Sequence, residues 1–374
     1  MGRAQHGEHV FIQCCSGCAQ RSAGVRTGCE CSAEADLRAA ASALTVQRAN
    51  RAGIGTRIAH PLLRGTVGFG LSTLTRVADR GRFEHLLWLA GLLDLPAAAL
   101  TPPKGTKRRM VRFEKFRAEW LWQEDRDPRQ RQDSALLYFH GGGFICGGLN
   151  THRRMVAKIA QASGMPAFNV DYRQLPEAHP DETLDDAVES YRYLLEQGFP
   201  AERIIVSGDS AGGGLAFRLA LATRERGLPM PGGISAIAPW ADLDSTARDT
   251  HPNRHRDSYI PVQTLALIAR RGFAADGELD PAWSPVNGDF TGLPPVLIQV
   301  GSTECLLPDS QLLAQRCGEA EVPTLLQIWD RASHVHHAGA DLLSDARAAI
   351  GELGQFHQQV ITGRISTTAL PDAI

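Results

Sequence analysis

Gly208-Asp209-Ser210-Ala211-Gly212 sets a serine between two glycines, directly after the apolar run Ile204 to Val206 and before a stretch readable as a helix to Arg226, stopped by Gly227. On a sharp strand-to-helix turn a hydroxyl stands exposed. Glycine at 208 and 212 leaves room for the crossing backbone, and the helix N-terminus favours negative charge developing beside the serine. Such a serine becomes the nucleophile of acyl transfer once a base takes its proton. The five-residue pattern alone recurs by chance often enough to decide little. A rarer signature decides more: His140-Gly141-Gly142-Gly143-Phe144 directly follows the apolar run Ala135 to Phe139. Successive glycines let amide N–H groups turn into a cavity, which assigns Gly142, Gly143 and Ala211 as donors to the oxyanion of a tetrahedral intermediate. A phosphate-binding loop is disfavoured, because no Gly-Lys-Ser/Thr follows.

A serine nucleophile in this setting needs a carboxylate and then a histidine further along the chain. Gly301 to Asp309 follows the run Val296 to Val300, and Asp330 to His337 follows Thr324 to Trp329. Both segments fall in loops after strands, where the catalytic residues of open α/β sheets collect. Glu304 and Asp309 compete for the role of acid, and His334, His336 and His337 for that of base. The remaining histidines, His152 and His179 among them, read as surface or structural.

The elements that must position these groups are an alternation of strands and helices. Ala135 to Phe139, Ala167 to Val170, Ile204 to Val206, Ile234 to Ala238, Val296 to Val300 and Thr324 to Trp329 are short apolar runs, most of them separated by enough chain for a helix. That rhythm predicts an α/β fold with a mostly parallel central sheet covered on both faces. Met110 to Trp122 alternates and is aromatic-rich, as an antiparallel pair would be. Leu184, Ala187, Val188, Tyr191, Leu194 and Leu195 share one helical face ended by Gly198, and Leu342, Leu343, Ala346, Ala349, Ile350, Leu353 and Phe356 share another.

Four divisions follow. Residues 1–35 read as a disordered leader carrying Cys14, Cys15, Cys18, Cys29 and Cys31. Residues 36–105 read as an N-terminal helical cap region, starting from Asp36 as N-cap with Leu37, Ala40, Ala41 and Leu44 at helical spacing and ending at Thr101-Pro102-Pro103-Lys104-Gly105. Residues 106–364 form the catalytic domain, with a cap insertion at about 244–284, and 365–374 a tail. Cap residues around Leu86, Trp88 and Leu92 are the ones expected to shape the substrate pocket.

Composition excludes several other classes. A 374-residue chain with 43% hydrophobic residues buries a large core. Its net charge of −2 gives no electrostatic reason to expect nucleic acid, and a small neutral or weakly charged substrate fits better. No apolar run reaches the roughly 18 residues of a membrane span. The patch Val10-Phe11-Ile12 is too short for a signal-peptide core, which points to a soluble, cytoplasmic protein. The eight cysteines make no disulfide framework. Four of the early ones could in principle hold zinc, but the Cys29-x-Cys31 spacing is atypical and no metal is expected. The sequence is silent on oligomeric state, a homodimer being one option.

Taken together, the chain resembles the hormone-sensitive-lipase family of α/β hydrolases, in its bacterial esterase branch, over residues 105–361. The resemblance rests on the HGGGF and GDSAGG runs, on Asp171-Tyr172-Arg173 with Pro176-Glu177, and on Pro239-Trp240-Ala241-Asp242-Leu243. Asp280-Pro281 with Ser284-Pro285, and Gly292-Leu293-Pro294-Pro295, extend it. It implies an α/β-hydrolase fold, Ser210 as nucleophile, His334 as base and Glu304 where many relatives carry Asp. It also implies a cap built from the N-terminal helices and the insertion. The expected reaction is hydrolysis of short-to-medium acyl esters through an acyl-enzyme, with no cofactor. A lactonase or an N-acetyl deacetylase would use the same residues. A ligand-binding member of the fold that had lost its triad is the reading from another class, and here nucleophile, acid and histidine are all present.

Overall fold

The computed structural model describes residues 43–365 except 82, 124 and 275. The cysteine-rich leader, the proposed cap start at Asp36 and the tail from 366 onward therefore lie outside the described residues. Within them, nine strands form one sheet: β1 (Leu44–Arg48), β2 (Lys107–Arg112), β3 (Arg117–Trp122), β4 (Ala135–Phe139), β5 (Ala167–Asp171), β6 (Ile204–Asp209), β7 (Gly233–Ile237), β8 (Val296–Gly301) and β9 (Thr324–Trp329). Their order is β1-β9-β8-β7-β6-β4-β5-β3-β2. β3 runs antiparallel to both its neighbours, and every other pairing is parallel. The central strands β4, β6, β7 and β8 are buried along their whole length, the reason their sequences are near-continuous apolar runs rather than alternating ones.

Ten helices frame the sheet: α1 (Ile54–Leu63), α2 (Phe69–Asp79), α3 (Phe83–Gly91), α4 (Leu149–Ser163), α5 (Pro180–Glu196), α6 (Ala211–Glu225), α7 (Thr246–Thr250), α8 (Val262–Ile268), α9 (Leu307–Glu319) and α10 (Ser344–Ile361). α4 packs against α10 and α5 against α6. The α4–α10 approach is close: a Cβ at Gly354 would lie 2.4 Å from the Ala162 carbonyl oxygen. α6 ends as its sequence indicates, with Gly227 just beyond it at φ 63°.

Two local expectations give way. Leu44 does not continue a helix but opens β1, where Thr45 and Val46 take up a parallel register with Leu325 and Leu326 of β9. A spare sheet edge offers this segment ladder bonds to β9, which outweigh a helical spacing of small residues. Leu342 lies before α10 and is exposed, leaving the core face to Ala346, Ala349, Ile350, Leu353 and Phe356.

α2 and the turn after α1 meet the insertion that carries α7 and α8. Thr75 Oγ1 and Thr264 Oγ1 are 2.7 Å apart, Arg270 pairs with Asp79 at 2.6 Å, and Arg64 donates to the His255 carbonyl at 2.6 Å. α1 is tied to α10 by Thr56 Oγ1, which donates to Asp345 at 2.6 Å, and to the loop after β8 by His60 Nε2, 3.0 Å from Thr303 Oγ1.

Candidate active site

Ser210 sits between the end of β6 and the first turn of α6, with φ 51° and ψ −121°. A non-glycine residue in that region costs on the order of 1–3 kcal/mol and persists only where its surroundings fix it. Here they do: Ser210 N–H donates to the Ile237 carbonyl at 2.8 Å, and its own carbonyl accepts from Trp240 N–H at 2.9 Å. The turn also requires bare backbone on both sides. A Cβ at Gly208 would lie 2.3 Å from the Gly212 oxygen, and one at Gly212 would lie 2.1 Å from the Phe139 oxygen. These contacts are the physical content of the G-x-S-x-G spacing.

The loop after β4 folds over this turn. Gly142 and Gly143 adopt φ 127° and 65°, and the Gly142 carbonyl accepts from Ile145 and Cys146 N–H, both at 3.1 Å. Neither glycine N–H donates to a protein acceptor among the described residues. Ala211 N–H, the first of α6, has no intrahelical acceptor by its position. Ser210, Gly142, Gly143 and His334 line one cavity of about 450 Å³, whose apolar walls include Leu71, Ile260, Leu265 and Ile268. Trp88 and Leu92, expected to shape this pocket, instead line a larger groove of about 890 Å³ beyond Ile145, Cys146 and Gly147, which contains neither Ser210 nor His334. Leu86 is buried in the core.

His334 Nδ1 lies 2.7 Å from Glu304 Oε2, and Glu304 Oε1 accepts from Gly301 N–H at 2.7 Å. Asp309 lies elsewhere. Its carboxylate accepts from Arg248 Nη1 at 2.8 and 2.9 Å and from the Ala241 and Asp242 amides, and both Arg248 and Asp309 are fully buried. Nor do the other two histidines face the cavity: His337 Nε2 is 2.7 Å from Gln299 Oε1, and His336 lies between Trp329 and His337 with its ring tilted against both. Burial pushes the Glu304 pKa up against the pull of His334. At His334 burial pulls downward, but the Glu304 hydrogen bond and charge, helped by Asp257, outweigh it and raise the pKa above its ordinary 6.5.

Three neighbours have no local signal in the sequence. His152, read as surface or structural, lines the cavity, with Nε2 3.4 Å from Asp209 Oδ2, and Tyr138 donates to the other Asp209 oxygen at 2.8 Å. The Tyr259 ring lies tilted, its centroid 6.0 Å from that of His334. Asp257 anchors the loop that carries Tyr259, accepting from Tyr259 and Ile260 N–H through Oδ1 and from Cys305 N–H through Oδ2. His152 and Asp257 look like ordinary members of polar runs. His179, by contrast, is a surface residue half exposed beside Asp181. Cys146, Cys305 and Cys317 are free thiols, and burial pushes Cys146 up to about 11.

A strand-to-helix serine, a glycine loop and a carboxylate–histidine pair at the carboxyl edge of a mostly parallel sheet define an α/β-hydrolase. The sequence profile described as alpha/beta hydrolase fold matches residues 136–338. Esterase LipU of Mycobacterium tuberculosis is 33% identical over 278 residues, 73% of this chain and 93% of that protein. An acetyl-hydrolase of Streptomyces hygroscopicus is 37% identical over 239 residues, 64% of this chain and 78% of that one. Among solved structures, an esterase from the bacterial hormone-sensitive lipase family superposes with a TM-score of 0.67 at 32% identity, covering 72% of this chain and 89% of its own. EstE5, solved after a soak with p-nitrophenyl butyrate, gives 0.69 at 31%, covering 83% and 100%. The chain belongs to the α/β-hydrolase family, in its hormone-sensitive-lipase-like branch, and is a hydrolase of the esterase and lipase type. No helix among the described residues is long and apolar enough to cross a membrane.

Proposed function

We propose that the protein hydrolyses short-to-medium acyl carboxylic esters, with Ser210 as nucleophile, His334 as general base and Glu304 orienting that histidine. The observation that carries this reading is that Ser210 and His334 line the same cavity while His334 Nδ1 is held by Glu304 at 2.7 Å. With Nδ1 engaged, Nε2 is the ring nitrogen left to take the serine proton. Ser210 Oγ then attacks the ester carbonyl, and Gly142, Gly143 and Ala211 N–H groups receive the oxyanion, each such donor typically worth about 3 kcal/mol of barrier. Collapse of the intermediate breaks the ester C–O bond, and His334 returns the proton to the departing alcohol. Water, deprotonated by His334, releases the acid from the acyl-enzyme. The Asp309–Arg248 pair supports Glu304 over Asp309, because a carboxylate already spent on a buried guanidinium and two amides has none left for an imidazole.

A p-nitrophenyl ester series from acetate to laurate tests the reading. The apolar cavity of about 450 Å³ suits acyl chains of intermediate length, so turnover should peak between butyrate and octanoate and fall at laurate. A burst of p-nitrophenol equal to the enzyme concentration should precede the steady state if deacylation is the slower step. Absence of turnover with every ester would end the proposal. The Streptomyces hygroscopicus relative is called an acetyl-hydrolase, which gives removal of acetyl groups as a second reading. Faster hydrolysis of p-nitroacetanilide than of p-nitrophenyl acetate would favour its amide form.

The pH dependence follows from the electrostatics. His334 accepts a proton only when neutral, so kcat/KM climbs through the His334 pKa as pH rises. Since that pKa is raised, the midpoint of the acid limb should lie above 6.5. Asp257 contributes to the raising, so Asp257→Asn should move the limb to lower pH. A limb that stays in place or moves upward would remove Asp257 from this role.

A further inference from the structure

Next to the catalytic cavity lies a second one of about 580 Å³, between α2 and the insertion, and the two share Tyr259 and Ile260 as walls. Its character differs from that of its neighbour. Arg64, Arg76, Arg254 and His255 line it, against a single acid, Asp257. That acid is already occupied: its two carboxylate oxygens accept the Tyr259, Ile260 and Cys305 amides. Among the described residues, none of the three arginines has a carboxylate within ion-pair distance. Arg64 and Arg254 each donate to one backbone carbonyl, those of His255 and Asp249, and Arg76 makes no side-chain hydrogen bond among the described residues. The chain as a whole is slightly acidic, at −2, so this is a local concentration of positive charge and not a reflection of composition.

We propose that this vestibule selects esters carrying a negatively charged group, a carboxylate or phosphate, remote from the scissile bond. This rests on the ester-hydrolase reading of the Ser210 centre and adds its substrate class. Guanidinium groups pair with carboxylate and phosphate through directed, charge-assisted N–H donors, and three unpaired ones around one opening retain that capacity. With the anion in the vestibule, the ester carbonyl reaches the cavity past Tyr259 and Ile260. The field at the mouth also draws anionic molecules in from solution.

The test compares two esters that differ only in charge: the p-nitrophenyl monoester of glutaric acid and the p-nitrophenyl methyl diester. At low salt kcat/KM for the charged ester should exceed that for the neutral one by about tenfold, and the ratio should shrink toward one as salt rises to about 0.5 M. The double variant Arg76→Gln, Arg254→Gln should lower the ratio by about tenfold, and Arg76→Lys should retain most of it. A general loss of structure would depress both esters together, so the ratio separates it from loss of recognition. A wild-type ratio of one or less, or a ratio the variants leave unchanged, overturns the proposal. So does a preference that appears only with micelles of dihexanoyl phosphatidylglycerol and not with the monomeric half-ester, which would assign the charge to a lipid surface. Hydrolysis of neither glutarate ester by enzyme that turns over p-nitrophenyl butyrate also overturns it, whereas inactivity toward the butyrate as well sinks the ester-hydrolase reading itself.

Discussion

Ser210→Ala is expected to lower kcat for a p-nitrophenyl ester by about 10⁶-fold, leaving only what the amide donors and binding supply on their own. The size of the loss follows from the role proposed for the side chain. No other hydroxyl stands on the β6–α6 turn at the base of the cavity, and without one His334 has no bound nucleophile to deprotonate. The fold should not feel the change. Alanine keeps the Cβ, so the φ of 51° costs it no more than it costs serine, and the bonds that hold the turn are made by the backbone. The urea midpoint of the variant should match wild type while its turnover collapses. A loss of tenfold or less would mean that the chemistry happens elsewhere.

Glu304→Gln and Asp309→Asn should fail in opposite ways. Replacing Glu304 removes the acceptor that fixes the His334 tautomer and steadies the imidazolium, and the expected loss is on the order of 10⁴ in kcat. Gly301 N–H can still donate to the amide oxygen of glutamine, so stability should change little. Asp309→Asn instead leaves Arg248 charged, buried and unpaired, a change that typically costs about 3–5 kcal/mol of stability. The folded fraction should keep most of its activity. Chemical unfolding and active-site-normalised turnover on both variants separate the two roles. The reverse pattern, a catalytic collapse in Asp309→Asn with Glu304→Gln nearly normal, would exchange the assignments.

What was legible in the sequence was local. The β4 and β9 runs, the G-x-S-x-G turn and the glycine loop after β4 each follow from contacts within a few residues or from a single backbone requirement. Fold class followed from the same short-range signals. The choice between Glu304 and Asp309 was different in kind, because it depends on Arg248, some 60 residues away, and on the amides of residues 241 and 242. In the sequence, only the family resemblance favours Glu304. The cavity walls were equally hidden. Leu71 of α2 and Ile268 of α8 are brought together by the Thr75–Thr264 contact, while Trp88 and Leu92, one helix further on, line the separate groove. The same holds for Asp257, whose partner at Cys305 is 48 residues distant. β1 escaped the helical spacing because its hydrogen-bond partner, β9, begins 280 residues downstream.

On the proposed mechanism one hydroxyl, at position 210, is made nucleophilic by His334 in a cavity fitted for an oxyanion. The most direct measurement is the site of covalent capture by a p-nitrophenyl alkylphosphonate, which stops at the phosphonylated nucleophile and releases p-nitrophenol. Peptide mass spectrometry of the wild type should place one adduct on Ser210, formed in step with the loss of esterase activity and far more slowly in Glu304→Gln. An adduct on any other residue accompanying inactivation, or undiminished capture by Ser210→Ala, would contradict it.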